Sequence, residues 1–164
     1  MWKSFKDKVN IARQLSLSEW LLLAEAWWVL FGFFLALRRV SLERLNKTFR
    51  LIDGKKVDPS GVLVFAHRLQ KLVSLASRLH LLSITCLIRA CALHWMLGRR
   101  GIPSQLCIGV NKSLVGIHAH AWVEIMGQAI GEPEDIDERF KVLKPIQCFN
   151  TFANYGLAEG CKTG

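Results

Sequence analysis

"CLIRACALHWMLGRRGIPSQLCIGV" covers residues 86–110, and the hydrophobic period changes inside it. Up to Leu97 the apolar residues run at helical spacing, and "GRRGIP" (98–103) supplies the glycines and proline that stop a helix. "SQLCIGV" (104–110) then reads as a strand. A helix that begins near Thr85 and feeds directly into a strand predicts an α+β domain.

The next strand, "GIHAHAWVEI" (116–125), sharpens that reading. Read at period two, Ile117, Ala119, Ala121, Val123 and Ile125 form an apolar face suited to a core. His118, His120, Trp122 and Glu124 fall on the other face, where chemistry is available. Met126-Gly127 predicts a tight turn into "QAIGE" (128–132), which Pro133 ends. The sheet is therefore small and antiparallel.

Upstream the pattern is helical. "WLLLAEAWWVLFGFFLAL" (20–37) is apolar all round and reaches the lower limit for a membrane span, with Arg38 and Arg39 after it. Glu25 lies inside it, costly at membrane depth, and "SLSE" (16–19) is a capping-box start signal. The segment is read as a buried helix; a membrane-associated helix and an apolar face awaiting a partner protein are the other options. Ser41 caps a helix predicted to run to about Asp53, "DGKKVDPSG" (53–61) is a loop, and a third helix covers about 60–80. With no internal repeat, the chain is expected to be a single domain over 1–164. It comprises a helical half (1–80), a core in which a helix packs on a small antiparallel sheet (81–143), and a weakly patterned tail (144–164).

The formal charge is +9 over 164 residues. Between Pro59 and Val123 there are seven Lys and Arg residues and no acid, whereas six carboxylates crowd into 124–138. The basic stretch suits nucleic acid, anionic lipid or an acidic peptide; with no nucleic-acid-binding motif beside it, no nucleic-acid partner is expected, and steering of a peptide is at least as good a reading. Five cysteines in no CxxC pair, and a start lacking the apolar core of a signal peptide, predict free thiols in a reducing cytoplasm.

Cys86 is distinguished by position. Ser83 or Thr85 caps the helix, placing Cys86 in the first turn, where unpaired backbone N–H groups and the helix dipole favour a thiolate. Arg89, one turn on, adds positive charge. Followed by a sheet His and then a carboxylate, Cys86 heads a nucleophile–base–orienter sequence. His118 and His120, with Cys86, are also a metal-ligand arrangement; without a further His/Cys pair at ligand spacing, neither a metal nor another cofactor is predicted. The default role of His67, His80 and His94 is packing.

The blocks "CLIRACALHWMLGRRGIPSQLCIGV" and "HAHAWVEIMGQAIGE" together resemble the B proteins of lasso-peptide biosynthesis, leader peptidases of the transglutaminase-like, papain-related cysteine protease superfamily. The resemblance implies a transglutaminase-like core and removal of a leader from a precursor peptide, with Cys86 as nucleophile and His120 as general base. It implies a lasso cyclase and a separate winged-helix-like leader-recognition protein as partners, while segment 20–37 adds a peripheral membrane contact or a docking surface. The family usually places an Asp on the next strand; here the matching position is Glu132. A two-residue turn puts Glu132 opposite Ala121, so it reaches His120 only through a bulge at Gly131 or a longer loop; otherwise Asp135 has the right parity. Trp122, His118 and Arg89 are expected to line the substrate groove. A transamidase using the same Cys–His pair, and a non-catalytic helical adaptor, are the alternative readings.

Overall fold

A computed structural model describes residues 15–39, 59–113, 116–133, 135–143 and 146–147. The helix predicted from Ser41, Cys148 and Cys161 lie outside the described residues.

Helix α1 (Leu17–Arg39) begins with the predicted capping box. The Ser16 amide donates to Glu19 Oε2 at 2.8 Å, and the Glu19 amide returns the bond to Ser16 Oγ at 3.4 Å. Leu23, Ala26, Leu30 and Phe33 repeat every three or four residues and form its buried stripe, against α2 (Pro59–Leu79) and α3 (Cys86–Gly98). Full burial of a side chain such as Leu30 contributes about 1.5–3 kcal/mol.

Two ion-pair clusters brace the same helix. Arg68 Nε donates to Glu19 Oε1 at 2.8 Å, and this contact, with the Ser16 hydrogen bonds, holds the Glu19 carboxyl at a pKa of about 2. Glu25, the residue that argued against a membrane, pairs with Arg100 and lies 3.6 Å from Arg99 Nη1, both just beyond α3. The expectation of a buried helix needs one correction. Among the described residues one face is covered, and Leu17, Leu21, Trp28 and Leu35 are exposed on the other, because this core takes up one stripe of a helix apolar all round. By length and composition α1 is also apolar enough to cross a membrane.

Helix α2 buries Val62, Ala66, Leu69, Val73 and Ala76. Helix α3 lies between these helices and the sheet and buries Ile88 and nearly every residue from Ala90 to Gly98. His94 is among them: its Nδ1 meets Ser104 Oγ at 2.9 Å, and burial pushes its pKa down to about 3.

Strand β1 (Gln105–Ser113) pairs antiparallel with β2 (Gly116–Ile125), Gly109 opposite His120. β1 runs three residues past the strand read from the sequence, through 111–113. The short β3 (Gln128–Ala129) follows β2, while β4 (Lys141–Val142) and β5 (Ile146–Gln147) pair with β1; the order is β3-β2-β1-β4, and a short helix α4 (Ile136–Arg139) precedes β4. Ala121, Val123, Ile125 and Leu106 pack towards the helices. Trp122, Cys107 and Ile136 form a second cluster with Phe140 and Val142. The apolar face predicted for β2 holds from Ala121 onward, whereas Ile117 and Ala119, at the far end of the hairpin, are exposed.

His94 makes stability pH-dependent in a defined direction. Unfolded, it takes up a proton below its ordinary pKa of 6.5; folded, it stays neutral to about 3. Stability is therefore expected to fall between those values, with a contribution approaching 1.4 kcal/mol per pH unit. Urea unfolding across that range should show the slope, and His94→Gln should flatten it.

Candidate active site

A cleft open to solvent runs along the edge of β2 where the short β3 has ended. Gln70 and Ser74 line it from α2, Cys86 and Arg89 from α3, His120 and Trp122 from β2, and Glu132 from the segment after β3.

Helix capping positions the cysteine. Thr85 is the N-cap, with extended backbone (φ −79°, ψ 167°), and its Oγ1 accepts from the Ile88 amide at 3.4 Å. The Arg89 amide donates to the Thr85 carbonyl at 3.1 Å and closes the first turn. Cys86 is thus the first helical residue, half-buried, in the turn whose leading N–H groups have no partner within the helix. Cys91 and Cys107 are buried; removal from water pushes the Cys91 thiol up to about 12.

His120 is held by aromatic rings. Trp122 stacks at 6.1 Å between centroids and Phe140 lies at 5.5 Å. Both approach because Gly109, opposite His120, has no side chain; a Cβ there would lie 2.8 Å from Phe140 Cβ and from the Trp122 ring. His120 Nε2 is 3.2 Å from Glu132 Oε1, and each side chain is 24% exposed.

That contact needs the ladder to break before Glu132, and the break falls at Gly131, one of the routes the sequence left open. Met126 and Gly127 take positive φ (53° and 75°) in the tight turn, and Ile125 pairs with Gln128. The register continues to Ile130, whose amide donates to the Val123 carbonyl at 2.8 Å. Gly131 then adopts φ 76°, in the left-handed region, and the chain leaves the ladder. Glu132, which regular pairing would place over Ala121, turns to His120 instead. A second constraint acts at Gly131, where a Cβ would lie 2.4 Å from Gln70 Cδ, so the Gln70 amide lies flat against the bare Cα.

The remaining predicted residues separate. Trp122 lines the cleft and is buried, its Nε1 donating to Glu124 Oε1 at 2.7 Å, so the indole and that carboxylate satisfy one another. His118 is not on the cleft: it sits two residues towards the far end of the hairpin, about 7 Å along the strand, exposed and opposite Asn111. Asp135 is exposed at the start of α4, outside the cleft, and Glu132 is the acid beside His120. Arg89 lines the cleft as expected, with its Nε buried and lacking a hydrogen-bond partner. Among the described residues no group of three or more His, Cys, Asp and Glu side chains forms a metal site. Sequence reasoning missed Gln70 and gave Phe140 and Gly109 no role. Gly109, a glycine inside a strand pattern, was the available signal of a close approach.

Comparison with known proteins identifies the family of the chain. The model of the transglutaminase-like superfamily matches residues 26–144, taking in most of α1 and all of α2 as well as the helix–sheet core. The chain is similar to the microcin J25-processing protein McjB of Escherichia coli, 28% identical over 109 residues, which cover 65% of this chain and 51% of the relative. It thus spans about half the length of that curated relative. No solved structure matches the chain. Both matches support the resemblance to lasso-peptide B proteins drawn from the two sequence blocks.

The Gly131 geometry can be tested with three variants. Gly127→Ala incurs only the left-handed backbone penalty, about 1–2 kcal/mol, since a Cβ there meets nothing within 4 Å. Gly131→Ala adds the clash with Gln70 and should be the less stable of the two in chemical denaturation. Adding Gln70→Ala should bring it back to the Gly127→Ala level.

Proposed function

The chain belongs to the transglutaminase-like superfamily, and on that premise we propose that it is a cysteine peptidase removing the leader from a ribosomally made lasso precursor peptide. The observation that carries the reading is the single cleft shared by Cys86, His120 and Glu132, with His120 Nε2 already 3.2 Å from the carboxylate. The similarity to a microcin J25-processing protein supports the choice of substrate class.

In this reading Glu132 engages Nε2 of His120, leaving Nδ1 to exchange protons with the thiol of Cys86. The thiolate attacks the carbonyl carbon of the last leader residue. Backbone N–H groups at the start of α3 face the oxyanion that forms. The imidazolium gives its proton to the leaving amine, the C–N bond breaks, and the core peptide departs with a new N-terminus. Water, deprotonated by His120, then attacks the thioester, the C–S bond breaks, and the leader leaves with a new carboxylate. Arg89 supplies positive charge beside the thiolate, and Trp122 closes the wall behind His120.

The partners in this reading are a separate leader-recognition protein and a lasso cyclase, with a reducing cytoplasm keeping the thiol active. The exposed face of α1 is offered to a partner or a membrane surface.

The test is cleavage of a panel of lasso precursor peptides, each supplied with its leader-recognition protein and followed by mass spectrometry. The expected result is a cut at the leader–core junction that Cys86→Ala abolishes and Glu132→Gln slows by about 100-fold or more, the scale of positioned acid–base assistance. A leader joined to an added amine would identify a transamidase. Full function in Cys86→Ala would leave the adaptor reading.

A further inference from the structure

Arg68, Arg99 and Arg100 are matched by Glu19 and Glu25. Arg89 is not: among the described residues no carboxylate lies within ion-pair distance of it, and its buried Nε has no hydrogen-bond partner. It stands three residues after Cys86 on α3, and side chains at that spacing share a helix face with Cβ atoms about 5–6 Å apart. Both side chains line the same cleft, and the nearby acid, Glu132, is engaged with His120. Among the described residues, the cleft therefore holds a guanidinium beside the thiol with no free carboxylate to match it.

We propose that Arg89 is the carboxylate-binding group of this cleft and holds the carboxylate that hydrolysis leaves on the carbon Cys86 has attacked. The inference rests on the peptidase reading and deepens it. Before reaction that carbon belongs to a neutral amide, which gives the guanidinium one carbonyl oxygen. After hydrolysis it bears two equivalent oxygens and a negative charge, the form a planar guanidinium binds best. Arg89 thus binds product more strongly than substrate, and the released leader is an inhibitor through its new C-terminal carboxylate.

Two small reagents test this without a precursor. Iodoacetate and iodoacetamide each alkylate a thiolate with loss of iodide, so the thiolate fraction cancels in the ratio of their rate constants. Iodoacetate brings a carboxylate to within one carbon of the sulfur. With glutathione as the reference thiol, the iodoacetate-to-iodoacetamide ratio at Cys86 is expected to be raised about tenfold, the equivalent of one charge-assisted hydrogen bond. Arg89→Gln should lower it to near the glutathione value, Arg89→Lys should retain part of it, and thermal melts of both variants check folding. A synthetic leader peptide ending in a free carboxylate should protect Cys86 from iodoacetamide better than the same peptide ending in a carboxamide.

A glutathione-like ratio at a fast-reacting Cys86 would overturn the role of Arg89 and leave the peptidase reading standing. An elevated ratio unchanged in Arg89→Gln would also overturn it, assigning the attraction to His120. A Cys86 that neither reagent modifies would overturn both.

Discussion

Everything proposed for the cleft depends on the 3.2 Å contact between His120 and Glu132, and that contact depends on where one chain leaves a sheet. The two residues lie on adjoining segments joined by a tight turn, and regular pairing would send Glu132 to the opposite face of the sheet from His120. Gly131 resolves the conflict with a left-handed backbone, and Gln70 of α2 occupies the space a side chain would need. The helix layer thus packs directly on the residue that steers the acid. Gly109 acts similarly on the other side of His120, where its missing side chain lets Trp122 and Phe140 close around the imidazole.

Electrostatics ties the helices to the same construction. In the stretch without acids, three arginines serve as braces: Arg68 reaches Glu19, while Arg99 and Arg100 reach Glu25. The exposed Arg68–Glu19 pair adds little stability, and the half-buried Arg100–Glu25 pair links α1 to the end of α3. Arg89 lines the cleft, and among the described residues its guanidinium has no protein partner. Of the seven basic residues in that stretch, three brace the helices and one, Arg89, faces the cleft.

Much of this architecture was legible in the residues, because the informative signals were local. The helix start at Thr85, the turn at Met126-Gly127 and the registers they impose follow from caps and turn chemistry, which act over a few residues. Even the irregularity at Gly131 could be located by parity. What failed to show was tertiary. His118 shares a strand face with His120, but alternation says nothing about where along a strand a cleft lies. Gln70 occupies an ordinary position on an amphipathic helix, and nothing local distinguishes it from a solvated glutamine. The two-sidedness of α1 was hidden because its sequence is apolar on every face, and only packing against α2 and α3 selects Leu23, Ala26, Leu30 and Phe33 for the core.

The central claim is that His120 activates Cys86, and the most direct measurement is residue-resolved alkylation of the thiols with iodoacetamide near pH 6 in the wild-type chain and in His120→Ala. Cys86 is predicted to label far faster than the buried Cys91 and Cys107, and to lose at least about tenfold of that rate without the imidazole, as expected for loss of a positioned base. A Cys86 that labels no faster than the buried thiols, or keeps its rate in His120→Ala, would contradict the account.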